Sequence, residues 1–100
     1  MIRGTTPTHV FNIPFSTTEL QEVRVSYSQC TGVVVQKETA DCAMEGNTVS
    51  VTLTQEDTLQ FDEKMPVKIQ LKVLTNAGCV LATPVFRKTV GEALCCEVLA

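Results

Sequence analysis

Along Val67–Val73, apolar Val67, Ile69, Leu71 and Val73 alternate with polar Lys68, Gln70 and Lys72. Side chains on a pleated strand point alternately to opposite faces, so this stretch predicts a strand with one buried face and one wet face. Val49, Val51 and Leu53 repeat the pattern, as do Val23, Val25 and Tyr27. Leu71 lies near the middle of the longest such run and is expected at the core centre.

The remaining elements follow from the same periodicity and from turn residues. Thr8–Phe15 predicts a first strand with Phe11, Ile13 and Phe15 on one face. Pro14 lacks an N–H, which places that strand at a sheet edge or at its own end. Ser16 or Thr17 can cap a single helical turn containing Glu19. A strand over Val23–Cys30 meets Thr31-Gly32, a pair suited to a tight hairpin before Val33–Glu38. The consecutive Val33, Val34 and Val35 predict burial on both faces there. Thr39–Glu45 has no clear pattern, and Ala43 and Met44 are expected to cover one end of the core. Gly46-Asn47 is a turn signal before a strand over Thr48–Thr54.

Thr54-Gln55-Glu56-Asp57 has the form of a helix start. The threonine oxygen can accept from the Asp57 N–H, and two acids suit the positive end of the helix dipole. Capping therefore explains Glu56-Asp57 better than catalysis does. Leu59 and Phe61 are expected to fold back over the core. Asn76-Ala77-Gly78 predicts a hairpin between Val67–Thr75 and Cys79–Arg87, with Pro84 marking the second strand as bulged or at an edge. Thr89–Val98 reads equally as a last strand or a helical turn.

Six or seven short strands with turn signals about every ten residues favour a β-sandwich or a small barrel. The middle of the chain favours the sandwich. Thr48–Thr54, a one-turn corner over Gln55–Phe61, and Val67–Thr75 with its hairpin partner resemble the E, F and G strands of immunoglobulin-like domains. The expected fold is thus an all-β, immunoglobulin-like sandwich of six to seven antiparallel strands with one or two short helical turns. Tryptophan is absent and no cysteine pair occupies the usual inter-sheet positions, which argues against a true antibody-type domain. Composition agrees with the all-β expectation: valine and threonine supply 14 residues each and isoleucine 3, and such side chains suit pleated surfaces. One hundred residues make one domain spanning 1–100.

Charge removes one class of function. The net charge is −3, and the eight basic residues are scattered, with Arg87-Lys88 the closest pair. Nucleic-acid binding needs clustered cations to displace phosphate counterions, so no nucleic-acid partner is expected. No stretch approaches the ~18 apolar residues of a membrane span, and the first residues carry no apolar run, so a soluble chain made in the cytoplasm is expected.

Candidate chemistry is sparse. Cys30, Cys42, Cys79, Cys95 and Cys96 are odd in number and never spaced as metal-binding pairs. They read as reduced thiols. His9, the one histidine, sits on an expected edge strand and reads as a surface residue. Nucleophilic catalysis needs a nucleophile beside a placed base, and nothing pairs with His9 in the pattern. Glycines are isolated and form no phosphate-binding loop. No residue is assigned a catalytic, cofactor-binding or metal-ligating role, and no cofactor or enzymatic activity is expected. Edge strands leave protein–protein contact as the remaining class, although Pro14 and Pro84 partly blunt those edges.

Met-Ile-Arg-Gly-Thr-Thr-Pro-Thr-His at the start, Leu53–Thr58, and Val67–Gly78 resemble small uncharacterised proteins encoded in prophages of Gram-positive gut bacteria. The similarity runs from the amino terminus to about Val90, and the Cys95-Cys96 ending departs from it. The resemblance implies a place in a phage tail or baseplate gene set and a non-enzymatic structural or accessory role. Partners would then be other phage proteins or further copies of the chain, with virion association after cytoplasmic synthesis. A host-surface module binding a glycan or cell-wall component is the alternative, and an enzyme or thiol redox protein ranks third.

Overall fold

A computed structural model describes residues 1–30 and 32–94. The strands are β1 (Thr8–Asn12), β2 (Leu20–Gln29), β3 (Gly32–Glu38), β4 (Cys42–Glu45), β5 (Thr48–Thr52), β6 (Val67–Thr75), β7 (Val80–Ala82) and β8 (Phe86–Lys88), with one α-helical turn, α1 (Gln55–Leu59). Two 3-10 turns cover Thr17–Glu19 and Thr39–Asp41. One sheet has the order β1-β5-β4. The other runs β3-β2-β6, with β7 and β8 both pairing to β6. All strand pairings are antiparallel. With β1 taken as strand B, these orders are B-E-D and C′-C-F-G, the arrangement of an immunoglobulin-like sandwich. The expected E, F and G strands are β5, β6 and the β7–β8 pair.

Alternation sets what faces what. Val67, Ile69, Leu71 and Val73 are all buried along β6, and the residues between them are not. Register aligns Val25 with Leu71 and Tyr27 with Ile69, so the buried rows of β2 and β6 lie side by side. Phe11, Val49 and Val51 of the other sheet join the same apolar cluster. Phe61 closes it from the corner, as its place in the sequence predicts, and Leu59 is half-buried.

The corner is built as its sequence dictates. Thr54 Oγ1 accepts from Asp57 N at 3.1 Å, and Asp57 Oδ2 accepts from Thr54 N at 2.9 Å. Asp57 Oδ2 also lies 2.7 Å from Lys37 Nζ, which ties α1 to β3. Buried Gln29 holds the return loop: its amide donates to the carbonyls of Asp62 and Met65, and its oxygen accepts from Asp62 N. At the β4–β5 turn, Gly46 takes φ 55° while Asn47 keeps a negative φ, the signs of the type II′ turn that suits a two-residue hairpin.

Several expectations are corrected. β1 ends at Asn12 rather than Phe15, although Ile13 stays buried and Ile13 N still donates to Asn47 O at 2.8 Å. The valine run is not buried on both faces: Val33 is 61% exposed and only Val35 is buried. β3 is an edge strand, and its register slips between Tyr27↔Val35 and Ser28↔Val33, leaving Val34 as the extra residue of a bulge. Ala43 and Met44 are exposed. Ala43 falls on the outer parity of β4, while Met44, opposite Val49, shares the core-side parity of Cys42 but stays uncovered on this edge strand. Cys42 is the residue that packs on the core. The expected strand over Cys79–Arg87 is two pieces, β7 and β8, broken around Pro84. Thr83 splints the break: its N–H donates to Leu71 O at 2.9 Å, and its Oγ1 accepts from Leu71 N at 3.1 Å. The Thr31 half of the Thr31-Gly32 hairpin and the stretch from residue 95 onward, including Cys95 and Cys96, lie outside the described residues. Gly91 forms a parallel bridge with Ile2.

Candidate functional site

One long side of the sandwich is open. β1 is the edge of its sheet, and β7 and β8 are the edge of the other. Between them runs a groove. Its largest hollow, about 580 Å³, lies between β1 and β8. A second of about 310 Å³ shares Asn12 and Thr83 with the first. A third of about 440 Å³ shares Phe15 and Leu81 with the second. The hollows therefore lie next to one another in a row from Lys88 to the Asn76–Cys79 turn.

The side chains along this seam are apolar ones left uncovered. Leu81 pairs with Val73 and Phe86 with Ile69, so both point to the core side of their sheet. Each is nevertheless 46% exposed. The Phe86 ring meets Phe11 across the seam, with centroids 6.2 Å apart. Of the nine exposed large apolar residues among those described, Val10, Val80, Leu81, Val85 and Phe86 all lie on β1 or between the ends of β7 and β8. Scattered apolar residues are normal on a surface, whereas a concentration along one edge marks a contact site.

The backbone of β1 is also unsatisfied on this side. Pro7 O accepts from Leu53 N, and Ile13 N donates to Asn47 O. Bonds to one neighbour recur at every second residue of an antiparallel strand, so His9 and Phe11 bond β5 in the same way. The N–H and C=O of Thr8, Val10 and Asn12 therefore face the seam, and among the described residues no second strand pairs with β1. Pro14 falls on the same outward parity, so its missing N–H costs no bond within the sheet.

His9 is not the surface residue its sequence position suggests. It points inward, half-buried, and Nδ1 lies 2.8 Å from the Tyr27 hydroxyl on the other sheet. Burial first, then the charges of Lys88 and the N-terminal ammonium, hold the imidazole below its ordinary value of 6.5. Burial, reinforced by Cys42 and Asp57, pushes the Tyr27 phenol up. Both groups are neutral at pH 7, and their bond bridges the sheets. An unfolded chain binds a proton at His9 more readily than the folded one, so stability falls as pH drops through 6.5 and stops falling below the folded value. Thermal midpoints measured from about pH 8 to pH 5 should drop less for His9→Gln than for wild type. Parallel curves would refute this role.

No family model, curated protein or solved structure matches this chain. What the seam can do is therefore read from its own geometry. Among the described residues, no group of three or more His, Cys, Asp or Glu side chains could hold a metal ion. Cys30 and Cys79 are exposed thiols. Cys42 is half-buried, and burial, with Asp41 beside it, pushes its thiol up. No helix among the described residues is long and apolar enough to cross a membrane. The first hollow carries Arg87 and Lys88 and no acid, in a chain whose net charge is −3. Lys88 is opposite buried Val67 and so projects along the groove face.

The sequence signal for this surface lies in Cys79–Arg87. Val80, Leu81, Val85 and Phe86 place apolar residues on both parities, and Pro84 stops the strand between them. A strand covered on one face needs only one apolar parity. The excess marks where the fold leaves apolar side chains for something else to cover.

Proposed function

We propose that this chain is a non-enzymatic building block that works through protein–protein contacts, and that the open β1–β8 side is its contact surface. The supporting observation is that Leu81 and Phe86 face the core side yet stay half exposed. Covering such side chains returns roughly 25 cal/mol per Å² of apolar area, a direct drive toward association. In keeping with the prophage resemblance, the proposed setting is a phage particle, as a tail or baseplate component or an accessory to its assembly. The unpaired backbone groups of β1 along the groove suit an extended polypeptide, which can continue the ladder, better than a glycan.

Particles purified from an induced lysogen carrying this gene provide the test. Peptides of the wild-type chain are expected in them by mass spectrometry, at a constant ratio to a major tail protein. Phe86→Asp should fold, since the ring is half exposed, and should be lost from particles. Absence of the wild-type chain from particles, or full retention of the variant, would overturn the reading.

A further inference from the structure

We infer that the seam accepts an extended segment of another protein, which adds to β1 as a new edge strand of its sheet. The inference rests on the contact surface proposed above and specifies what fills it. Three observations carry it. The outward N–H and C=O groups of Thr8, Val10 and Asn12 offer a ready ladder, uninterrupted by proline until Pro14. A strand laid there turns alternate side chains inward, over Phe86 and Leu81, which closes the seam as the sandwich fold requires. Lys88 and Arg87 border the same hollow, and no acid lines it. Among the described residues, neither cation has an ion-pair partner.

The charge decides the chemistry of the occupant. The segment has apolar residues at every second position and a carboxylate where it passes Lys88. That carboxylate meets Lys88 at the solvent-exposed rim, where it chooses among partners more than it adds affinity. A basic segment of the same apolar pattern would face Lys88, with Arg87 beside it, and be rejected. A second copy of this chain is disfavoured by the same count, because β1 and β8 carry no acid with which to answer Lys88.

A random peptide library panned against the immobilised full chain tests this. Enriched sequences should alternate apolar residues and carry an acidic residue. Their synthetic peptides should shift the amide resonances of residues 8–12 and 86–88. Replacing the acid by lysine should weaken binding about fivefold, as expected for one exposed charge contact. N-methylation of alternate peptide amides, on the parity that faces β1, should abolish binding, whereas docking by side chains alone would survive it. Val10→Pro removes one outward N–H while leaving the bonds to β5, and should lose the peptide too. The N-methyl result stands by itself if that variant fails to fold.

No enrichment, shifts elsewhere, tolerance of N-methylation, or dimerisation of the chain through the same residues would each overturn the inference. Success in panning with absence from particles would leave the strand acceptor standing and remove the phage setting. Presence in particles with failed panning would do the reverse.

Discussion

Leu71→Ala is expected to lower the unfolding free energy by about 2–5 kcal/mol, the range for removing a buried leucine from a core. Leu71 is 1% exposed, sits midway along β6, and lies opposite Val25. Its backbone is held on the other side by Thr83, through Leu71 O and Leu71 N. A strand fixed on both flanks cannot move in to fill the void, which favours the upper half of that range. Small domains are stable by only about 5–15 kcal/mol, so the variant gives up a large share of its margin. Urea unfolding of the variant beside Leu94→Ala, where the side chain is 97% exposed, checks the figure. A loss at position 71 no larger than at 94 would mean that β6 faces the other way.

Asp57→Ala should cost about 2–4 kcal/mol, because one carboxylate serves two elements at once. It accepts from Thr54 N to close the capping box of α1, and it neutralises Lys37 on β3. The two side chains of that pair are only 16% and 14% exposed. Removing the acid leaves a largely buried ammonium without its partner. Lys37→Met should cost less, since Asp57 keeps its bonds to Thr54 and the methionine fills the same space. Burial alone would push the Asp57 carboxyl up, yet hydrogen bonds from Lys37 and Thr54 hold it below its ordinary value of 3.8. The contribution of Asp57 is therefore present in full above that value and is lost as pH falls through the lower folded value. Urea midpoints of the two variants at neutral pH provide the check. Equal losses would show that the ion pair, and not the cap, carries the effect.

The sequence showed the architecture well wherever local chemistry decides it. Val67–Thr75 is bounded as expected because strict alternation admits one register, and Thr54–Asp57 caps as expected because its atoms satisfy one another locally. The misjudged segments are those where tertiary position decides. Three successive valines look buried on both faces, but β3 lies at an edge, where one face has no neighbour and a bulge absorbs the extra residue. His9 looks exposed because an edge strand near a terminus usually is. Its partner, Tyr27, lies on the other sheet, so no local pattern could connect them. The seam was legible only as an apolar excess over Cys79–Arg87, and its location was hidden for a similar reason. Exposed apolar residues at Leu81 and Phe86 read as ordinary strand positions until β1 is seen to stop short of covering them.

The ladder that creates the free edge joins segments far apart in the chain, as the β2–β6 ladder also does. β1 meets β5 with Thr8 against Thr52, across a sequence separation of 44. Bringing such distant segments together costs chain entropy before any bond returns it. The β2–β3, β4–β5 and β6–β7 hairpins close over a few residues and pay little of that cost. Folding therefore has a natural order, in which local hairpins assemble first and the strand beside the seam docks late. The surface offered to a partner is completed only once the rest of the sandwich exists, so an incompletely folded chain has no acceptor edge to present.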